Sequence, residues 1–472
     1  MSAKLSVAAA PTASQRRWPA ALSLEGRISR LATASGGSLA VLVSGAALSY
    51  LAQVATARLI GPMSFGAYAY VLAWTTLLGH AATLGFRVSL LRLLPAYRAM
   101  GDWPRARGLA RFSTWSTAVT ACLAAGLGMA VVAISLGTGS EQAQAFLIGL
   151  CVVPFVALQL VVAASVRAWG GVVSALIPER ILRDASAVVV LALVLAGGWL
   201  APGAPAAALA LVAGGFISLA ASWTMVRRRK PPELDLAPPM LAPRDWLRPT
   251  FPLTVLMLAD VLMSRAGTLV LGSIGAKEEA GVFAVAYSLS LLAALPRMAV
   301  ASAFAPTVSD LHTRGATAKL QALSARGARL ALAATLVVAV PLMLAAKPLL
   351  ALFGPSFQDG APTVVVLVLA QVFSAACGPQ QHLLTMTGHE RAAAFSLAVA
   401  VAANLALAVL LAGPMGLLGI ALASGGSLVG WNLFLLVFAW CRLGLRPGLR
   451  AVSDDEGSDV GKAACPRTGA HP

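Results

Sequence analysis

The feature that most constrains this chain is a series of apolar runs, each close to the length needed to cross a bilayer. Twelve can be marked, at roughly 36–56, 67–87, 113–136, 145–166, 184–200, 205–226, 251–271, 281–306, 326–346, 361–386, 392–412 and 416–440. A helix needs about 20 apolar residues to span a hydrocarbon core roughly 30 Å thick. Lipid offers the backbone no hydrogen-bond partners, so runs of this length read as helices. Only 11% of the 472 residues are charged, against about 25% in soluble domains. That content cannot cover a water-facing surface and excludes an ordinary soluble enzyme. The expected fold is an all-α polytopic membrane protein with 12 transmembrane helices.

The charges are lopsided, with Lys+Arg 35 against Asp+Glu 18. When the runs are threaded back and forth, 30 of the 35 cationic residues fall in the termini and the even-numbered connections. Three (Arg58, Lys277 and Lys347) fall on the opposite side, and Arg265 and Arg297 lie within runs. The positive-inside rule then predicts both termini in the cytoplasm. Residues 1–35 contain no continuous apolar core of a secretory signal, so the first span is expected to direct insertion. Basic residues spread over seven segments do not form a nucleic-acid surface. They read as topological signals and contacts to anionic membrane lipids. The five cysteines have no ligand spacing, and no metal site is expected.

The expected organisation is a cytoplasmic N-terminal segment (1–35), a six-helix bundle (36–226), a linker (227–250), a second six-helix bundle (251–440) and a disordered cytoplasmic tail (441–472). The linker carries Pro231, Pro232, Pro238, Pro239 and Pro243, which predicts an extended segment. Trp246 then suits an anchor at the membrane interface. An internal repeat supports the two halves: "IGPMSFGAYAYVLAWTTLL" follows the first run and "IGAKEEAGVFAVAYSLSLL" the seventh. With one gap, Ile60-Gly61 aligns with Ile274-Gly275, Gly66 with Gly281 and Tyr68 with Phe283. Six spans apart means the same orientation, so the repeat is parallel, which is a transporter architecture.

At these residues the chain resembles the polysaccharide exporter and oligosaccharide flippase branch of the superfamily that includes the multidrug MATE transporters. The segments are "ARLIGPMSFGAYAYVLAW" (57–74), "RAWGGVVSALIPERILRD" (167–184), the stretch 246–286 beginning "WLRPTFPLTVLMLADVLMSRAG", "LLTMTGHERAAA" (383–394) and "GPMGLLGIALASGGSLVGWN" (413–432). The resemblance covers most of residues 36–447. It implies two six-helix bundles in a V-shaped transporter, alternating access, and a polyprenyl-pyrophosphate-linked sugar moved from the inner to the outer leaflet. Family members often carry an acid two positions after the span-seven Arg. Here Arg265 is followed by Ala266 and Gly267, and Asp260 lies upstream.

A flippase breaks no bond; it shields a charged head group from hydrocarbon. Arginine suits the pyrophosphate because its planar fork donates several hydrogen bonds. Ionisable groups at membrane depth cost about 2.5–3.5 kcal/mol each on insertion scales and are functional suspects. The candidate cavity cations are Arg265, about 9 Å from the outer end of its span, with Arg297 after Pro296, Arg87 at the inner end of span two, and Arg58 at the outer end of span one. Snorkelling to an interface is the rival reading for each. Asp260 and His80 are the ion-coupling candidates, for H+ or Na+. Asp260 lies about 140° around the helix from Arg265, so the two do not face each other. Gln380, Gln381 and His382 follow Gly378-Pro379, a predicted helix break, and are the polar cavity candidates. No cofactor is expected beyond a possible ion gradient.

The expected function is a flippase of the bacterial inner membrane serving surface polysaccharide synthesis (O-antigen, capsule or exopolysaccharide). Its partners would be the lipid-linked oligosaccharide, membrane lipids, and a polymerase or assembly proteins. A cation-coupled multidrug exporter or a lipid-linked peptidoglycan-precursor flippase on the same fold remains open. A membrane glycosyltransferase or polymerase is a remote alternative, since the chain has no DxD or nucleotide-binding loop.

Overall fold

The computed structural model describes residues 24–313, 316–386 and 389–444. The start of the N-terminal segment, most of the polar tail, and the side chain of His382 lie outside the described residues.

The described chain is helical, with no strand among the described residues. The first half comprises α1 (Leu24–Ile60), α2 (Pro62–Ala82), α3 (Phe86–Met100), α4 (Trp103–Leu136), α5 (Glu141–Leu150), α6 (Val153–Ala168), α7 (Val172–Ile177), a π-helical turn (Pro178–Leu182), α8 (Arg183–Ala196) and α9 (Ala204–Arg229). A short α10 (Glu233–Leu236) lies in the linker. The second half comprises α11 (Pro243–Ser273), α12 (Lys277–Thr313), α13 (Thr317–Leu344), α14 (Ala346–Ala351), a 3-10 turn (Pro355–Gly360), α15 (Ala361–Cys377), α16 (Gln380–Met386) and α17 (Glu390–Leu443).

Local chemistry sets many of these ends. Asp102 accepts from the Arg105 amide at 3.1 Å, with Pro104 in the first turn of α4. Ser140 accepts from the Ala143 amide at 3.1 Å and starts α5. Each satisfies an amide that the helix itself leaves unpaired. Lipid-facing positions are filled by large apolar side chains such as Leu123, Leu127 and Ile134. Small residues such as Ala121 and Ala125 occupy the buried face of the same helix, as close helix packing in lipid requires.

The apolar runs fall largely on these helices, with breaks inside some of them. Nine helical segments among the described residues are long and apolar enough to cross a membrane. One of them, Arg391–Arg442, is 52 residues long. A straight helix of that length would measure about 78 Å, more than twice the hydrocarbon core. Instead α17 leaves helical geometry at Gly416 (φ 52°, ψ −132°). Its two arms are cross-linked from Ser424 to Asn404 (3.4 Å) and from Trp431 to Ser396 (3.2 Å). Both pairs are centred close to residue 414, so α17 is an antiparallel hairpin carrying the last two runs. The predicted break at Gly378 is present, with φ +83°.

The two halves meet at the end opposite the linker, on the residues of the internal repeat. Gly61 and Gly275 share a left-handed φ (82° and 84°). A Cβ on Gly66 would sit 1.8 Å from the Lys277 carbonyl oxygen, and one on Gly281 3.0 Å from the Gly66 Cα. Around this crossing, Phe65 packs on Phe353 and Phe357, and Phe353 on Tyr50. One apolar cluster therefore joins both halves at this distal end.

The linker departs from expectation. It is not a free extended segment: Met240 N–H donates to the Pro104 carbonyl (3.0 Å), and Arg107 donates to the Ala237 carbonyl (2.6 Å). Leu234 is buried beneath it. Trp246 is not an interfacial anchor but is fully buried, at 0% exposure, against the side chains of α3 and α4. It packs on Phe112 and donates from Nε1 to Tyr97 Oη at 3.1 Å. The apolar area of Trp246 outweighs its single polar atom once Tyr97 satisfies that atom. Trp246→Ala is expected to cost about 3–5 kcal/mol and to lower the thermal unfolding midpoint of the purified protein. Trp246→Phe should recover most of that loss.

Candidate functional site

The break between α2 and α3 builds the first part of the site. Leu84 (φ 47°) and Gly85 (φ 75°) both adopt left-handed backbone, and Leu84 is the one non-glycine residue with positive φ among the described residues. Such strain persists only where surroundings enforce it and is frequent at functional sites. The turn brings Arg87 back over His80, with Arg87 Nη1 3.2 Å from His80 Nε2. His80 Nδ1 lies 2.8 Å from the Thr76 carbonyl. A carbonyl only accepts, so Nδ1 carries the proton and Nε2 accepts from Arg87. This arrangement assigns a neutral imidazole.

The second part comes from the π-helical turn. Pro178 has no N–H, and the Arg183 amide bonds back to the Pro178 carbonyl, five residues earlier. Ser218 on α9 also donates to that carbonyl (2.6 Å). Such turns cluster at functional sites. Glu179 on this turn is buried and faces two arginines: Arg87 at 3.7 Å and Arg167, at the end of α6, at 3.4 Å. The Arg167 Nε is buried without a hydrogen-bond partner. Arg183 lies one turn on and pairs with Asp184 at 2.8 Å.

The third part faces these from the second half. Asp260 is exposed at mid-helix in α11, yet within electrostatic reach of Arg87 and Arg297. It therefore faces the space beside these two arginines, one from each half. Arg297 on α12 lies near Asp260 and Cys377, and its Nε is also buried without a hydrogen-bond partner. Arg265 sits farther from the linker, in reach of Tyr287, Tyr68 and Arg183.

Among the expected residues, Arg87, His80, Asp260 and Arg297 converge, and Arg265 lines the same region toward the distal end. Asp260 and Arg265 have separate surroundings, as their helical spacing requires. Gln380 is 2% exposed and donates back to the Cys377 carbonyl (2.9 Å), closing the end of α15. Gln381 is half-buried on the first turn of α16. The break they form abuts Arg297 through Cys377. Arg58 is elsewhere: its Nε and Nη2 donate to the carbonyls of Leu352 (2.6 Å) and Ala351 (3.0 Å), at the end of α14. Tyr50 Oη donates to the Leu349 carbonyl at 2.8 Å. Arg58 is thus a clasp between the halves, held by carbonyls that the helix end leaves free.

Sequence reasoning missed Glu179, Arg167, Arg183, Asp184, Tyr68 and Tyr287. The segment 167–183 reads as a charged loop because its charges interrupt the apolar pattern. Folded, residues 172–196 form one helical run with the π turn inside it. The available signal was Glu179 itself, the sole acid among residues 167–183, next to a proline.

Comparison with known proteins now adds to this geometry. The family model of the "Polysaccharide biosynthesis protein" matches residues 34–312. The chain belongs to this family. No curated protein matches it in sequence. Among solved structures, it is similar to an inward-facing multidrug resistance MATE family transporter of the MOP superfamily (TM-score 0.71, 15% identity, covering 84% of this chain and 94% of that one). The outward-facing conformation of such a transporter gives TM-score 0.60 at 17% identity, covering 87% and 95%. The lipid II flippase MurJ, in an inward closed conformation, gives TM-score 0.63 at 13% identity, covering 84% and 86%. The protein is a multi-pass membrane protein of this family with the MATE fold.

Loss of the Arg58 clasp should free the distal end. Arg58→Ala is expected to raise the population open at that end by about tenfold, the effect of about 1.4 kcal/mol. Thiol labelling of a cysteine placed at Phe353 should speed up accordingly.

Proposed function

We propose that this protein carries a polyprenyl-diphosphate-linked oligosaccharide from the inner to the outer leaflet of the bacterial inner membrane, for surface polysaccharide synthesis. The observation that carries this reading is the concentration of buried and half-buried arginines around Glu179 and Asp260. Arg87, Arg167, Arg183, Arg265 and Arg297 outnumber Glu179, Asp184 and Asp260 there, and two guanidinium Nε atoms are buried without partners. A diphosphate offers several acceptor oxygens and two negative charges, and it matches this surplus. The prenyl tail stays in lipid while the head group crosses between the halves. The family match and the flippase among the similar folds support the same reading.

The positive-charge bias assigns the linker end and both termini to the cytoplasm. The distal closure is then periplasmic, which makes this an inward-facing arrangement in our reading. The higher similarity to the inward-facing transporter supports this assignment. Asp260, within electrostatic reach of Arg87 and Arg297, is the group best placed for coupling to H+ or Na+. His80 serves chiefly to hold Arg87.

Deleting the gene should make lipid-linked oligosaccharide accumulate in the inner leaflet and abolish the surface polymer. Unchanged polymer with raised drug sensitivity alone would point to the multidrug exporter. In reconstituted vesicles, Arg265→Ala is expected to lower transport at least tenfold, and Arg265→Lys to keep part of it. Full transport by the Ala variant would remove Arg265 from the site.

A further inference from the structure

The ion pairs of Glu179 are poorly made for a structural purpose. A charge-assisted hydrogen bond between guanidinium and carboxylate measures about 2.7–2.9 Å. Here one carboxylate is shared between Arg167 at 3.4 Å and Arg87 at 3.7 Å. Its side chain is only 9% exposed, against 17% and 26% for the two arginines. A buried pair offsets its desolvation only when its geometry is close and its remaining donors are filled. Neither holds, because the Arg167 Nε has no hydrogen-bond partner. Two forks with five donors each face an acceptor with two oxygens.

Arg87 is fixed from its other side by His80, whose ring is in turn fixed by the Thr76 carbonyl. Glu179 stands on the π-helical turn, whose Pro178 carbonyl is anchored by Ser218. Arg180 and Arg183 add positive field around it, and Asp260 approaches Arg87 from the second half. The arrangement is a cationic cradle in which two guanidinium forks share one carboxylate of the protein's own, too small an anion to fill them.

We propose that Glu179 is an internal surrogate for the substrate's diphosphate, holding Arg87 and Arg167 in the empty inward-facing state and yielding them to a lipid-borne diphosphate. The inference rests on the flippase reading above and adds an entry site at the linker end, before Arg297 and Arg265. With Glu179 in place, the charge excess of the cradle is reduced, which disfavours monoanionic phospholipid head groups relative to a diphosphate. A diphosphate competes because it brings two charges and more acceptor oxygens to the same forks. Glu179 is thus a specificity-determining residue.

The test measures binding of farnesyl diphosphate to the full-length protein in lipid nanodiscs. Glu179→Gln removes the competing charge and should tighten binding about tenfold, the scale of a coupling between competing ligands. Its thermal unfolding midpoint should fall, and farnesyl diphosphate should raise it by more than it raises that of the parent protein, because the stabilisation grows with affinity. A carboxylate with only a structural role would give equal rises in the two proteins. Arg167→Gln should weaken binding, and combining it with Glu179→Gln should abolish the tightening. If Glu179→Gln does not fold, Glu179→Asp, which keeps the charge but reaches the arginines less well, should tighten binding by a smaller factor. Unchanged or weaker binding by the folded variant, with the parent protein still binding, overturns the surrogate and leaves the flippase reading intact. Equal affinity of the parent protein for farnesol and farnesyl diphosphate overturns both. Inorganic pyrophosphate binding as tightly as the lipid would overturn the lipid-borne assignment.

Discussion

The close approach of α2 and α12 at Gly66 and Gly281 is the contact on which the rest of the architecture depends. Without side chains there, the backbones come near enough for Phe65, Phe353 and Phe357 to close one end of the molecule. In lipid, apolar side chains gain little by exchanging hydrocarbon for protein, so tight packing of small residues supplies much of the attraction. The same crossing holds the halves together at one end while charged residues of both halves face the space toward the other. Arg58 and Tyr50 reinforce it by hydrogen bonds to backbone carbonyls.

The charged groups follow a second constraint. Each ionised side chain between the halves needs either a partner or water. Arg183 has a close partner in Asp184, whereas Arg87 and Arg167 share a distant one. The pairing is therefore uneven along the site. Neutral groups tie helices to one another, as Asn404 does against Met263 and Ser424. The partly satisfied arginines are those with capacity left for an anion.

How much could be read beforehand varied with the kind of signal. The helices were legible because bilayer thickness imposes a minimum apolar length. The repeat was legible because Ile-Gly recurs at 60–61 and 274–275, and the two glycines share a left-handed φ. Arg265, Arg297 and Asp260 stood out because they interrupt apolar runs. Glu179 and Arg167 did not, since charges near the end of a run look like a loop. Trp246 and the prolines of the linker were misread for a related reason. Composition gives the polarity of a segment but does not say which surface lies beside it. Here α4 and α3 provide a carbonyl, a phenol hydroxyl and an apolar pocket.

The sequence by itself determined that this chain spans a membrane as helices in two related halves. Those properties depend on local apolar length and spacing, which neighbours in the chain already define. Only the tertiary structure decided which charges meet. Arg87, Arg167 and Glu179 come from three separate segments, and Asp260 and Arg297 from the other half. Their meeting depends on the left-handed turn at Leu84–Gly85, the π turn at Pro178 and the crossing at Gly66. The tertiary structure also turned Arg58 from a candidate ligand group into a clasp, because a free helix end happens to lie within its reach.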